Sequence, residues 1–175
     1  MPALQKLLVA RDSHEGVIKP GARIVPGWGF RRYPVKLIQM PLYTTLPDGS
    51  RLNSFDYACN YRIIERKGEN DAVNCMKDKQ YSDLLLKTKT NVDLYGDSYR
   101  LVYETTPYAI LHSKWDWRPP QRLILKRIEE LESIATVVWA GNKCNAEKIA
   151  FDFFNDAPKC DVESWVKLCS TRHNI

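Results

Sequence analysis

A chain of 175 residues, 44% hydrophobic and 27% charged, is long enough to bury a real core and too apolar to be a disordered polymer. Its formal charge of +5 points toward anionic partners, and no apolar run reaches the roughly 18–20 residues that a membrane span needs. Five cysteines with no C-x-x-C pair and three scattered histidines, His14, His112 and His173, argue against a zinc site; no metal and no cofactor are expected.

In chain order, residues 4–11 read as one or two turns of weak helix, and "HEGVIKPGAR" as a turn-rich connection. The N-terminal segment 1–20 is expected to be flexible, ahead of a single domain that takes in the chain 1–175. It lacks the apolar core of a secretory signal, Pro2 excludes N-myristoylation, and the last residues offer no prenylation box. Val35 to Thr45 reads as a strand, with Pro41 placing it at an edge or a bulge. "LPDGS" is a turn signal. After it, Phe55, Tyr57, Cys59, Tyr61 and Ile63 alternate with Asp56, Ala58, Asn60, Arg62 and Ile64. That period of two predicts one strand over 55–66 with an aromatic face inward, paired antiparallel with 35–45.

The period then changes. Val73, Met76, Gln80 or Tyr81, and Leu84 predict a helix over 71–87, with "TKTN" as a loop behind it. Residues 92–113 read as two or three short strands. In "WDWRPPQRLILKRIEELESIATVVWAGN", Ile124, Ile128, Leu131, Ala135 and Val138 form a helical stripe that starts near Pro119 and Pro120 and is closed by Gly141. Short helices are expected near 145–155 and 161–170. The class that follows is α+β, an antiparallel sheet with helices packed on one side and a helical C-terminal third.

No nucleophile elbow, phosphate-cradling glycine loop or H-E-x-x-H pattern is present, and no catalytic residue is assigned. Asp116, between Trp115 and Trp117, and His112 are the weak acid–base candidates; the plainer reading is a surface carboxylate flanked by anchoring tryptophans. Glu129, Glu130 and Glu132 fit a solvated helix face. The binding signal is stronger. Residues 1–69 hold 11 basic against 6 acidic side chains, so the positive excess lies in the first third. There Arg31, Arg32 and Lys36 are interleaved with the aromatic rings of Trp28, Phe30 and Tyr33, and Arg62, Arg66 and Lys67 extend the basic character, with Lys87 and Lys89 behind them. Guanidinium groups bind phosphates in forked geometry, and aromatic rings stack on unpaired bases or sit at lipid headgroups. The alternative for Trp28 and Phe30 is that they anchor the core while the arginines reach outward.

The run Ile24–Val25–Pro26–Gly27–Trp28 resembles a stretch of bornavirus matrix proteins, and a strand 55–66 followed by a helix 71–87 resembles the rhabdovirus matrix core. Length and basic charge are similar to the small matrix proteins of plant-infecting rhabdoviruses. The resemblance implies a viral matrix protein that is no enzyme and takes no small-molecule substrate. It would self-associate as a homo-oligomer, bind anionic membrane lipids and nucleoprotein or RNA, and reside peripherally on membranes in the virion and host cytoplasm. A P-P-x-Y budding motif is missing, since Gln121 and Arg122 follow Pro119–Pro120. The alternative is a small single-stranded nucleic-acid-binding module or regulator.

Overall fold

The computed structural model describes residues 6–13, 27–45, 48–53, 55–115 and 117–158. The chain forms two compact units, residues 1–64 with 147–175 and residues 65–146. Its class is α+β, with a sheet that mixes parallel and antiparallel pairing. No described helix is long and apolar enough to cross a membrane.

In the first unit, strand β1 (Leu7–Asp12) lies parallel to β2 (Val35–Met40) and antiparallel to β5 (Tyr57–Cys59). Residues 7–11 of the expected weak helix are therefore a strand. Val9 carries a β-branched side chain suited to a pleat between two neighbours, and Val9 and Ala10 are fully buried, so tertiary pairing overrides the helical preference of Leu7 and Leu8. The expected partner exchange also differs: β2 pairs with β1, and the turn after residue 45 joins only the short strands β3 (Tyr43–Thr45) and β4 (Arg51–Asn53).

The alternating stretch 55–66 is not one strand. It folds back on itself at Asn60 and Tyr61, whose φ angles of 49° and 64° are left-handed. With Cys59 opposite Arg62, these two residues form the whole connection to β6 (Arg62–Lys67). Positive φ at both central positions is what a two-residue hairpin turn of type I′ requires. Period two survives on each arm, but both faces of β5 are buried, which removes the polar outer face expected from the sequence.

The core of this unit is aromatic. Trp28 stacks on Tyr57 at 4.9 Å, and Phe30 meets both rings edge-on. The Tyr57 hydroxyl accepts the backbone N–H of Trp28 at 2.6 Å. Phe154 adds a fourth ring from the far end of the last described helix, α5 (Lys143–Asn155). That helix fits the one expected near 145–155; the one expected at 161–170 lies outside the described residues.

The second unit holds the end of β6, then α1 (Glu69–Asn74) and α2 (Asp78–Tyr95). The single helix expected over 71–87 is thus two. "TKTN" continues α2 because Thr88 and Asn91 extend the buried stripe begun by Tyr81 and Leu84; polar residues on the inner face hid the helical period. Gly96, at φ 53°, ends it. One strand, β7 (Tyr99–Tyr103), and a short helix, α3 (Pro107–Leu111), replace the strands expected over 92–113. Thr106 caps α3 by accepting from the Ala109 N–H at 3.1 Å, with Pro107 in its first turn. Helix α4 (Gln121–Ile134) buries Ile124, Ile128 and Leu131 as expected. It stops at Ala135, and the β-branched run Thr136–Val137–Val138 becomes strand β8 (Thr136–Trp139), parallel to β7.

Candidate active site

Strand β6 ends in three consecutive charges, Glu65, Arg66 and Lys67, after the apolar pair Ile63–Ile64. The two-residue repeat of a strand puts Glu65 and Lys67 on one face and Arg66 on the other. Three charges at the end of a buried strand are costly to desolvate unless each finds a partner. Each does.

On one face, the Glu65 carboxylate accepts from Lys67 Nζ at 2.7 Å, and its second oxygen pairs with Lys87 Nζ of α2 at 2.6 Å. The Glu65 side chain is only 3% exposed, while Lys67 and Lys87 keep 18% and 15%. Burial pushes the Glu65 carboxyl upward, but the two ammonium charges and their hydrogen bonds outweigh it and hold the pKa below its ordinary value. Two cations against one anion leave this face positive, with the carboxylate beneath and the ammonium groups reaching solvent. On the other face, Arg66 binds Glu104 in a fork, Nε to Oε1 at 2.7 Å and Nη2 to Oε2 at 3.1 Å. Glu104 follows directly on β7, and its N–H donates to the Lys67 carbonyl at 2.9 Å. The fork therefore fixes the backbone that carries Glu65 and Lys67. Deeper in the unit, burial drives the hydroxyls of Tyr99 and Tyr103 and the thiol of Cys75 to high pKa, so all three stay protonated at neutral pH.

The residues singled out in the sequence are scattered by comparison. Phe30 has a left-handed φ of 51°, and the Tyr33 N–H donates to its carbonyl at 3.0 Å. That turn places Arg31 and Arg32 at an exposed corner. Trp28 and Phe30 are buried, which corrects their assignment as contact aromatics: their rings fill the core. Tyr33 is half-buried and stacks on Phe151 at 4.5 Å. Lys36 is exposed on β2. Arg62 donates to the Phe153 carbonyl at 2.6 Å and lies over that residue's ring. Arg66 is buried in its fork, so it cannot extend a basic surface. Lys67 keeps part of its exposure. His112 is exposed and rests on Tyr108, while Asp116 lies outside the described residues.

The chain matches no family model and no curated protein. Solved structures do resemble it. It folds like XPF from Aeropyrum pernix. One such structure is 15% identical, with a TM-score of 0.53 over 94% of this chain and 68% of the other. A second, in complex with DNA, is 14% identical, with a TM-score of 0.52 over 97% and 76%. The XPF-like fold overturns the viral matrix resemblance, and with it the virion and structural role. The expectation of a non-enzyme is corrected with it, since the fold resembles XPF and not a matrix protein. Nothing in the fold favours anionic lipids or nucleoprotein as partners.

What the sequence reading missed is Glu65. Arg66 and Lys67 were counted as free positive charge, whereas a carboxylate two residues before a lysine in a strand is a same-face acid–base pair. The signal was present in "IIERK": charges in alternation directly behind a buried apolar pair.

Proposed function

We propose that the chain binds nucleic acid and hydrolyses its phosphodiester backbone at the Glu65–Lys67–Lys87 cluster. The observation that carries this reading is a buried, ionised carboxylate held by two partly exposed ammonium groups, on a chain with an XPF-like fold. A solved neighbour in complex with DNA supports the choice of polymer.

The chemistry follows from the charges. A phosphodiester carries one negative charge, and it gains another as a nucleophile adds to phosphorus. Ammonium groups fixed beside its non-bridging oxygens stabilise that added charge more than the ground state. As the phosphate takes hydrogen bonds from Lys67 and Lys87, Glu65 gives up part of its pairing. Its carboxylate, beneath them, keeps both lysines in place, and the attacking water gives its proton to solvent. The water oxygen bonds to phosphorus, the phosphorus–oxygen ester bond breaks, and the leaving oxygen is protonated by Lys87 or solvent. Arg66 and Glu104 touch no substrate; they position β6. Among the described residues, no three His, Cys, Asp or Glu side chains gather as a metal-binding group, and Glu65 is already met by two ammonium groups, so no step is routed through a metal.

The test is cleavage of end-labelled single-stranded, duplex and branched DNA by the whole chain, with magnesium and with EDTA. Lys67→Ala and Glu65→Gln should each lower cleavage by about 100-fold or more, the scale of one proton-transfer or charge-stabilising group. Substrate binding by Lys67→Ala should fall far less. Cleavage unchanged in both variants would remove the reading.

A further inference from the structure

Residues 111–127 carry Lys114, Arg118, Arg122 and Lys126, beside Arg127 that pairs with Asp78 at 2.7 Å, against a single acidic residue of their own, Asp116. The same region exposes aromatic rings that a core would normally hide. Tyr108 is 70% exposed, Trp117 41% and Trp115 36%. Each is already propped from one side. Tyr108 lies on the His112 ring at 4.0 Å with 24° between planes, Trp115 meets Trp117 edge-on at 4.4 Å, and Lys77 Nζ sits 3.8 Å over the Trp117 ring. A ring braced on one face and open on the other is a stacking platform that costs little to order.

Two hollows border these rings. One, of about 460 Å³, is lined by Asn70, Tyr108, His112, Lys114 and Trp115 among others, with Glu69 as its acidic member. The other, of about 470 Å³, shares Lys114 and Trp115 and continues along Arg118, Pro119 and Gln121. Each falls within the roughly 300–1,000 Å³ of sites that take small planar ligands. The first hollow adjoins the candidate active site in the chain: Glu69 and Asn70 follow Lys67 by two and three residues, and Thr105 follows Glu104.

We propose that this trough holds unpaired bases of a single-stranded nucleic-acid segment, stacked on Tyr108 and Trp115, with Lys114 and Arg118 on the phosphates. Base stacking on aromatic side chains needs unpaired bases, whereas phosphate contacts alone would accept a duplex equally. Charge complementarity selects this occupant over a second copy, because two copies would bring the same basic residues face to face. Asn70 adds an amide at the rim that can donate and accept at a base edge. The inference rests on the nucleic-acid reading above for its polymer, and it adds the form of substrate that the second unit grips.

The test is binding rather than cleavage. Fluorescence anisotropy of the whole chain would be followed with labelled oligothymidylate, with an abasic oligonucleotide of equal length, and with a duplex. Tyr108→Ala and Trp115→Ala should each weaken oligothymidylate binding by roughly tenfold, within the range for one stacked base, and leave abasic binding nearly unchanged. Trp115→Phe, which keeps a ring, should restore most of the loss and guards against a folding defect. Equal losses on abasic and thymidylate strands would overturn the proposal, as would no loss on either. So would a variant whose only change is in oligomeric state. Aromatic-dependent single-strand binding without any cleavage would retain the trough and remove the hydrolytic reading. Cleavage of single strands that is indifferent to Tyr108 and Trp115 would do the reverse.

Discussion

Two charged stretches, one in each unit, resolve in opposite ways. At residues 28–33 the rings of Trp28 and Phe30 go into the core and Arg31 and Arg32 stand at the corner of a turn. At residues 65–67 the charges themselves go inside, each met by an opposite charge. Density of basic residues in the sequence marked both places alike. What separates them is the presence of a carboxylate at strand spacing. Basic side chains at an exposed turn stay at the surface and adaptable. A carboxylate–lysine pair sharing a strand face is desolvated, oriented and committed to one geometry, which is the condition for chemistry rather than adhesion.

The contrast can be broken most sharply by removing single anchors. Glu104→Ala leaves the Arg66 guanidinium buried without its fork and should cost about 3–5 kcal/mol, read by urea unfolding. Trp28→Ala should cost a similar 3–5 kcal/mol through its cavity. Replacing both ends of the fork, Arg66→Met with Glu104→Leu, should recover most of that stability while cleavage stays low, because the strand then lacks its tether. Recovery of cleavage as well would show that the fork has no positioning role.

Acid should distinguish the two stretches next. The folded-state pKa of Glu65 is depressed, so its stabilisation is complete above the ordinary carboxylate value and is lost as pH falls through the folded one. Urea midpoints should therefore drop below about pH 4.5. Glu65→Gln, though less stable at neutral pH, should flatten that limb. An acid limb of equal slope in Glu65→Gln would place the titration elsewhere.

Smaller effects follow. Thr106→Ala removes the side-chain cap of α3 and should cost about 1 kcal/mol by urea unfolding. Arg31→Ala, at an exposed corner, should shift stability by no more than about 0.5 kcal/mol.

Much of the fold was legible in the sequence where the pattern and the environment agreed. The α4 stripe of Ile124, Ile128 and Leu131, the helix near 145–155 and the α+β class all came from periodicity alone. Reading failed where the inner face of an element is polar or where a turn carries no glycine. Thr88 and Asn91 interrupt the apolar period of α2 although both are buried in it. Asn60 and Tyr61 turn the chain without either glycine or proline, so the hairpin looked like one strand. For the site, Arg66 and Lys67 stood out by their charge, whereas Glu65 between them and the apolar pair Ile63–Ile64 did not, because its partner Lys87 comes from a distant helix.

That hairpin turn has a consequence for how the chain tolerates changes in length. Two residues are the shortest connection between antiparallel strands, so nothing between Cys59 and Arg62 can absorb an extra residue as slack. One insertion or deletion inside β6 would exchange its alternate positions and send Glu65 and Lys67 to the face now held by Ile64 and Arg66. Length is therefore constrained at this turn independently of which residues fill it. Among descendants of this sequence, the interval from the turn to Lys67 should keep its length even where its letters drift.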